Sequence, residues 1–99
     1  MAYGGSVYIL TNKNRTTLYT GVTSDLGTRL RQHRDNAFPN SFTARYNLTL
    51  LVYMEHFPSI EEAIQKEKSI KAKTRVNKEK LISSVNPNWD DLANEVLNW

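Results

Sequence analysis

Residues 6–22 show the pattern of two neighbouring β-strands. Ser-Val-Tyr-Ile-Leu-Thr at 6–11 is β-branched and aromatic, which predicts a first strand. Asparagines in the segment 12–15 favour a turn, because their side chains supply local hydrogen bonds and they tolerate a left-handed backbone. Residues 16–22 predict the returning strand of an antiparallel hairpin. Gly21 near its end indicates a bulge, or a place where another group approaches the backbone closely.

A helix is predicted after the hairpin, ending at about residue 34. Thr23 or Ser24 is its expected N-cap, and Asp25 lies favourably in its first turn. Leu26 and Leu30 form its apolar stripe. Residues 35–47 then predict a long loop with three aromatic side chains, and a loop of that length is commonly functional or lid-like.

The second half of the chain predicts one strand and three helices. Residues 48–55 are nearly all apolar or β-branched, which predicts a central strand buried on both faces. Ser59 and Glu62 fit a capping box that opens a helix running to about residue 73. Asn77 is the expected cap of a shorter helix, and Asn88 that of a last amphipathic helix. The last helix is expected to pack through Trp89, Leu92, Val96 and Trp99. The order β-β-α-β-α-α-α describes an α/β protein of the α+β type, with a small sheet flanked by helices.

Composition adds a few restrictions. Ninety-nine residues with a hydrophobic fraction of 39% suit one folded domain spanning 1–99. No apolar run is long enough to span a membrane, and the first residues lack the features of a signal peptide. The absence of cysteine excludes disulfides, thiolate metal sites and Cys-His catalysis. We therefore expect a cytoplasmic protein with no membrane partner.

Charge is unevenly distributed, although the net charge is only +3. Seven basic residues fall between Lys66 and Lys80, against the two acids Glu67 and Glu79. Segregated charge of this kind suits an electrostatic footprint for phosphates. A simple solvated, lysine-rich helix is the commoner explanation of such a run.

Glu67 interrupts the apolar face of its own predicted helix. The apolar stripe of that helix is Ile60, Ala63, Ile64 and Ile70, and position 67 falls on the same face. Burying an unpaired carboxylate is costly, so such a residue either pairs with a cation or holds a metal. A position at the rim, with a salt bridge to an arginine, is the alternative.

Two further pairs of residues are candidates for chemistry. Arg29 and His33 are four apart and share a helix face, where a cation and an imidazole suit phosphate stabilisation and proton transfer. Tyr8 and Tyr19 lie in neighbouring strands and are expected side by side on one sheet face. Taken singly, a mixed-charge surface helix and two core tyrosines are the commoner explanations. No G-x-S-x-G elbow, Gly-rich phosphate loop or His-rich metal cluster occurs in the sequence.

Taken together, these residues resemble the GIY-YIG nuclease superfamily. Its two signatures appear as Ser-Val-Tyr at 6–8 and Tyr-Thr-Gly at 19–21. The helix with Arg29 is similar to the segment that carries the family's essential arginine, and the helix with Glu67 to its metal-binding glutamate helix. Asn86, followed by proline, matches a late asparagine of many members. The likeness covers nearly the whole chain and is greatest to small stand-alone bacterial members of the superfamily.

The resemblance implies a three-stranded antiparallel sheet packed between helices, with one divalent cation, Mg²⁺ or Mn²⁺, on Glu67. It implies that Arg29 contacts the scissile phosphate and that one of the two tyrosines orients or deprotonates the attacking water. Supporting roles in the site are implied for His33 and Asn86. Contacts to the nucleic-acid backbone are expected from four basic residues: Lys66, Lys71, Lys73 and Arg75.

The resemblance therefore favours a divalent-metal-dependent endonuclease that hydrolyses DNA, in repair or processing. The alternative is a nucleic-acid-binding module on the same scaffold that needs a partner or lacks turnover. Salt-dependent binding without cleavage distinguishes it. A protein-interaction domain that uses the aromatic segment 38–46 has no specific support. The cutting residues are all present while a target reader is not evident, which is compatible with a targeting protein partner.

Overall fold

The computed structural model describes residues 4–35 and 39–97, which form three strands and five helices. In chain order they are β1 (Gly5–Thr11), β2 (Leu18–Thr23), α1 (Leu26–Arg34), α2 (Phe42–Arg45), β3 (Leu50–Phe57), α3 (Ile60–Lys71), α4 (Arg75–Val85) and α5 (Ala93–Leu97). The α+β class and the hairpin followed by a helix are confirmed. None of the described helices is long and apolar enough to cross a membrane.

The sheet has the strand order β2-β1-β3, and both pairs are antiparallel. The predicted three-stranded antiparallel sheet is therefore confirmed. The prediction that the strand at 48–55 is the central one is wrong. All seven residues of β1 are buried, and β1 lies in the middle, whereas β3 is an edge strand whose second half is only partly buried. Helices cover both faces at 51–53, so a buried apolar run there does not require a central position.

Alternate side chains of β1 point into two hydrophobic clusters on opposite faces of the sheet. Tyr8 and Leu10 pack with the leucines of α1 and with α5. Val7 and Ile9 pack with α3 and α4 on the other face. The sheet is thus the middle layer, with α1 and α5 on one side and α3 and α4 on the other.

Local hydrogen bonds set where the helices begin. The cap of α1 is Asp25 itself, because its carboxylate accepts from the backbone N–H of Thr28 at 3.1 Å. Thr23, an expected cap, accepts instead from the N–H of Asp25 at 3.0 Å and so fixes the turn before the helix. The capping box at Ser59 is confirmed, since its hydroxyl accepts from the N–H of Glu62 at 3.2 Å.

Three helices differ from those expected, and the third strand lies two residues later than predicted. The segment 35–47 contains the short helix α2, capped by Ser41. Helix α4 begins at residue 75 because Thr74, not Asn77, supplies the capping hydroxyl. The last helix begins only at residue 93, because Trp89 has a left-handed backbone with φ 53° and cannot form its first turn. Phe38 and Trp99, named in the expected loop and last helix, lie outside the described residues.

Candidate functional site

Tyr8 is the most enclosed member of the candidate site. It is fully buried on β1, directly opposite Gly21 on β2. A Cβ atom placed on Gly21 would lie 2.5 Å from both Cζ and Oη of the Tyr8 ring. The phenol therefore lies directly over the Gly21 backbone, and only glycine leaves room for it. The close approach expected at this glycine is made by a tyrosine of the site.

Tyr19 lies two residues before Gly21 on β2, on the same sheet face as Tyr8. Because Tyr19 pairs with Leu10, the two tyrosines are diagonal neighbours, and their ring centroids are 6.2 Å apart. Burial, reinforced by Tyr19, raises the pKa of Tyr8 to about 12, while the Arg29 guanidinium opposes the rise. Tyr19 and Arg29 are thus close to the Tyr8 hydroxyl, but no described residue forms a hydrogen bond of normal geometry with it.

Helix α1 places Arg29 and His33 next to these two tyrosines. Leu26 and Leu30 anchor the helix in the core, and the i,i+4 spacing places the arginine and the histidine on one side of that stripe. The ring centroids of His33 and Tyr8 are 6.3 Å apart. The face shared by a cation and an imidazole is therefore turned toward the tyrosines.

His33 is held by one ring nitrogen and has the other one free. Its Nδ1 is 2.9 Å from the Thr43 hydroxyl, whereas its buried Nε2 has no hydrogen-bond partner among the described residues. Burial lowers the pKa of His33, and the nearby Arg29 lowers it further, so the imidazole is neutral at pH 7. If Thr43 donates to the Ser41 hydroxyl, 3.2 Å away, it accepts from Nδ1–H, and Nε2 then carries a lone pair.

Tyr19, Arg29 and His33 border an open hollow of about 430 Å³. Its walls come from β2, α1 and α2: Tyr19, Arg29, Gln32, His33, Ser41, Phe42 and Thr43. Sequence reasoning identified Tyr19, Arg29 and His33 but missed the wall from α2. Phe42 belongs to the aromatic segment singled out in the sequence, whereas nothing in the pattern indicated the buried Thr43.

Glu67 lies on α3, which packs on the sheet face opposite to that of Tyr8 and Tyr19. Its side chain is 13% exposed, and its Oε2 is 2.9 Å from Nζ of Lys71, one helical turn later. Lys71 also lines a second hollow of about 270 Å³ together with Tyr19 and Phe42. Lys71 thus contacts Glu67 and also borders the hollow that Tyr19 lines at the β2 edge.

The donor set fits a magnesium-type ion. Among residues 4–35 and 39–97, no group of three or more His, Asp or Glu side chains is arranged to hold a metal. This excludes a closed zinc site within that part of the chain. A single, mostly buried carboxylate is nevertheless sufficient for Mg²⁺ or Mn²⁺, which keep several waters and take phosphate oxygens as further ligands. Glu67 is the carboxylate that would take this role, in place of its salt bridge to Lys71.

Asn86 is placed differently from the expectation that it supports the site. It is buried after α4, where its Nδ2 donates to the carbonyl oxygens of Val52 and Asp90 at 3.0 and 2.9 Å. Its Oδ1 accepts from the N–H of Asp90 at 3.0 Å. All these partners are backbone atoms, so Asn86 ties the chain after α4 to β3 and has no donor left for a phosphate.

Of the four basic residues expected to contact nucleic acid, some have structural partners and others lie near the site. Arg75 donates to the carbonyl oxygens of Arg15 and Thr16 at 2.6 and 3.1 Å and pairs with Glu79. Its guanidinium therefore fastens α4 to the hairpin turn, which corrects its expected role. Lys66 lies 3.9 Å from Glu55, and Lys73 is exposed. Only Lys71 borders a hollow of the site, and it is joined there by Lys78, which was not singled out.

The sequence comparisons agree with this architecture. The model of the GIY-YIG catalytic domain family matches residues 4–80. The chain therefore belongs to the GIY-YIG family, a family of nucleases whose substrates are nucleic acids. Within it, the chain is similar to small proteins called UPF0213. A UPF0213 protein of Clostridium perfringens is 41% identical over 78 residues, which are 79% of this chain and 82% of that one.

Two other relatives give the same result. A UPF0213 protein of Natronomonas pharaonis is 35% identical over 83 residues, covering 84% of this chain and 95% of that one. The solution NMR structure of a UPF0213 protein from Bacillus halodurans superposes with a TM-score of 0.57 at 32% identity. That match covers 88% of this chain and 90% of the other. The family and the fold expected from the sequence are thus confirmed.

Proposed function

We propose that this protein is a divalent-metal-dependent endonuclease that hydrolyses DNA, with a role in DNA processing or repair. The main support is that Tyr19, Arg29 and His33 line one open hollow next to the buried Tyr8, and that Glu67 pairs with Lys71, which lines the neighbouring hollow. Their arrangement supplies a phosphate-binding cation, two phenols and a neutral imidazole within one region. These groups are the ones that phosphodiester hydrolysis needs.

Two buried polar atoms support a role in chemistry rather than in folding. Tyr8 Oη and His33 Nε2 are buried without a hydrogen-bond partner among the described residues. Each such atom costs roughly 1–3 kcal/mol of stability. Phenylalanine and an aliphatic residue at the two positions would avoid this cost. Their presence is explained if both atoms interact with substrate or with the attacking water.

The protonation states assign different tasks to the two groups. With a pKa raised to about 12 by burial, Tyr8 is a neutral phenol at pH 7 and therefore donates a hydrogen bond. His33 is neutral, and in the tautomer with Nδ1–H its Nε2 would accept the proton of the attacking water, provided that the water reaches this buried atom. The water oxygen forms the new bond to phosphorus while the bond to the leaving oxygen breaks. The leaving oxygen then takes a proton from solvent.

Arg29 supplies the charge that the transition state needs. It lies beside Tyr8 and His33 and borders the hollow, so its guanidinium is placed to pair with phosphate oxygens. Glu67 would hold Mg²⁺ or Mn²⁺, whose charge stabilises the developing negative charge on the phosphate. Lys71 and Lys78, at the second hollow, bind the flanking backbone without reading sequence.

A panel of substrates tests the proposal. Single-stranded, duplex, flap and branched DNA, and RNA of the same sequence, are incubated with Mg²⁺, Mn²⁺ or EDTA. We expect metal-dependent cleavage of DNA, which Arg29→Ala lowers by about 10²–10³-fold, as for removal of other transition-state donors. Arg31→Ala, an exposed arginine on the same helix, is the matched control and should cut normally.

The same panel distinguishes the alternative function. Lys71 and Lys78 beside an exposed aromatic residue also suit a binding module that needs a partner for turnover. Such a module would bind DNA in a salt-dependent manner and cut none of the substrates under any metal condition. That result would reject the endonuclease and favour the binding module.

A further inference from the structure

Helix α2 presents two aromatic rings to solvent beside the candidate site. Phe42 is 47% exposed and Tyr46 is 46% exposed, and their ring centroids are 4.7 Å apart. Phe42 also lies 6.1 Å from Tyr19, which is 6.2 Å from Tyr8. An aromatic row therefore extends from the buried phenol to the surface. Its outer pair leaves two adjacent apolar ring faces in contact with solvent, which makes them a candidate interaction surface.

Phe42 occupies the ridge between the two hollows, because it lines both of them together with Tyr19. The first hollow has Arg29 and His33 in its wall, and the second has Lys71 and Lys78. A chain molecule that crosses from one hollow to the other therefore passes over the rings of Phe42 and Tyr19.

The chemistry of these walls selects the occupant. The described residues that line the two hollows include three cationic side chains, Arg29, Lys71 and Lys78, and no carboxylate, although Lys71 is also paired with Glu67. An anionic chain that carries flat apolar groups at regular intervals fits cations in two hollows separated by exposed rings. A nucleic-acid strand has this character, with phosphates for the cations and base faces for the rings.

The pairing state of the strand follows from the accessibility of its bases. In a duplex, both faces of each base are covered by neighbouring base pairs, so a protein ring has no face to stack on. An unpaired base exposes its face, and aromatic side chains of a single-strand site use this face. We propose that Phe42 and Tyr46 form a stacking platform for an unpaired base, so that the site selects a single-stranded or flapped segment over duplex.

This inference rests on the proposed function, because it names the form of nucleic acid that the same site would take, but its test is independent of turnover. Binding is measured in EDTA, so that no metal-dependent cleavage occurs. The probe is a short single-stranded DNA with one 2-aminopurine, alone or annealed to its complement. Anisotropy gives the Kd, and 2-aminopurine fluorescence, which falls on stacking, reports contact of the base with a ring.

Four variants separate stacking from charge and from folding. Phe42→Leu and Tyr46→Leu keep apolar volume but remove the ring, whereas Phe42→Trp keeps a ring. Val85→Leu changes another exposed apolar residue, 63% exposed and outside both hollows, and is the matched control. Circular dichroism establishes that each variant is folded. If Phe42→Leu unfolds, Tyr46→Leu and Phe42→Trp still decide the outcome.

We expect tighter binding to the single strand than to the duplex, with quenching of 2-aminopurine. Each leucine variant should weaken single-strand binding by about 5- to 150-fold, the range for loss of one stacked base, and abolish the quenching. Phe42→Trp and Val85→Leu should behave like wild type. Equal affinity for both DNA forms, or leucine variants that bind and quench normally, would overturn the inference. A failure of the proposed function appears separately, as absence of cleavage with Mg²⁺ despite selective binding.

Discussion

Replacing Gly21 by alanine tests whether the position of the Tyr8 ring is set by the backbone beneath it. The new Cβ would lie 2.5 Å from Tyr8 Cζ and Oη, against 3.4 Å for ordinary contact, so the ring must move by about 0.9 Å. Tyr8 is fully buried between the sheet and α1, so the ring cannot swing into solvent. Overpacking of this kind costs about 1–3 kcal/mol. In a chain of this size each kcal/mol lowers Tm by about 4–8 °C.

The same displacement should also reduce the rate of cleavage by the folded protein. Misplacing a catalytic group by about 1 Å can cost on the order of 10²-fold in rate. Tm and single-turnover cleavage with saturating Mg²⁺ are measured for wild type, Gly21→Ala and Gly27→Ala. Gly27 is the matched control, because its nearest neighbour outside the helix backbone is the flexible Arg31 guanidinium at 3.4 Å. Gly27→Ala should stabilise the helix by about 0.5–1 kcal/mol and leave cleavage unchanged.

Two results would refute the reasoning. If Gly21→Ala has the wild-type Tm, the Tyr8 ring is not held against the Gly21 backbone. If Tm falls but the cleavage rate of the folded protein does not, the Tyr8 hydroxyl has no part in the chemistry.

The remaining predictions concern the other buried polar groups. Tyr8→Phe should abolish cleavage while leaving Tm unchanged or higher, because the deleted hydroxyl has no hydrogen-bond partner among the described residues. Burial, reinforced by Arg29, holds the pKa of His33 below its usual value, so kcat/KM should not fall at the pH where a free histidine titrates but only at lower pH. His33→Gln should remove that acid limb. The neutral imidazole is the form favoured in the folded state, so His33 should also lower the free energy of unfolding as pH falls below about 6.5. Asn86→Ala should lower the free energy of unfolding in urea by on the order of 3 kcal/mol, because it leaves buried backbone groups unpaired, whereas exposed Asn88→Ala should be near neutral.

Local signals in the sequence account for most of the fold. The β-branched run of β1, the asparagine-rich turn after it and the capping box at Ser59 are decided within a few residues. The last helix was misplaced because a distant contact decides its start. Trp89 lies under the Arg15 guanidinium, 5.4 Å from the ring centroid, and donates to the Ser83 hydroxyl at 3.0 Å. These contacts hold it outside the helix, and no pattern around residue 89 indicates them.

In the candidate site, too, the residues placed by local spacing were predicted and those placed by distant contacts were not. Strand and helix periodicity placed Tyr8 with Tyr19, and Arg29 with His33, because each pair depends on spacing within known elements. Arg75 was misassigned because its partners are carbonyl oxygens of the hairpin turn about sixty residues earlier. The wall from α2 was missed for a related reason, since only the folded chain places it beside α1 and β2.

The central claim, that Glu67 carries the metal on which cleavage depends, is tested most directly by one rate comparison. Single-turnover cleavage of a labelled single-stranded DNA is measured for wild type, Glu67→Gln and Glu61→Gln, with Mg²⁺ or with EDTA. Glu61 is the matched control, since it is an exposed glutamate on the same helix. We predict that Glu67→Gln lowers the Mg²⁺-dependent rate by about a hundredfold or more with little change in Tm, because the metal supplies several kcal/mol of transition-state stabilisation. Glu61→Gln should cut like wild type. Cleavage by Glu67→Gln at the wild-type rate, or wild-type cleavage that persists in EDTA, would contradict the account.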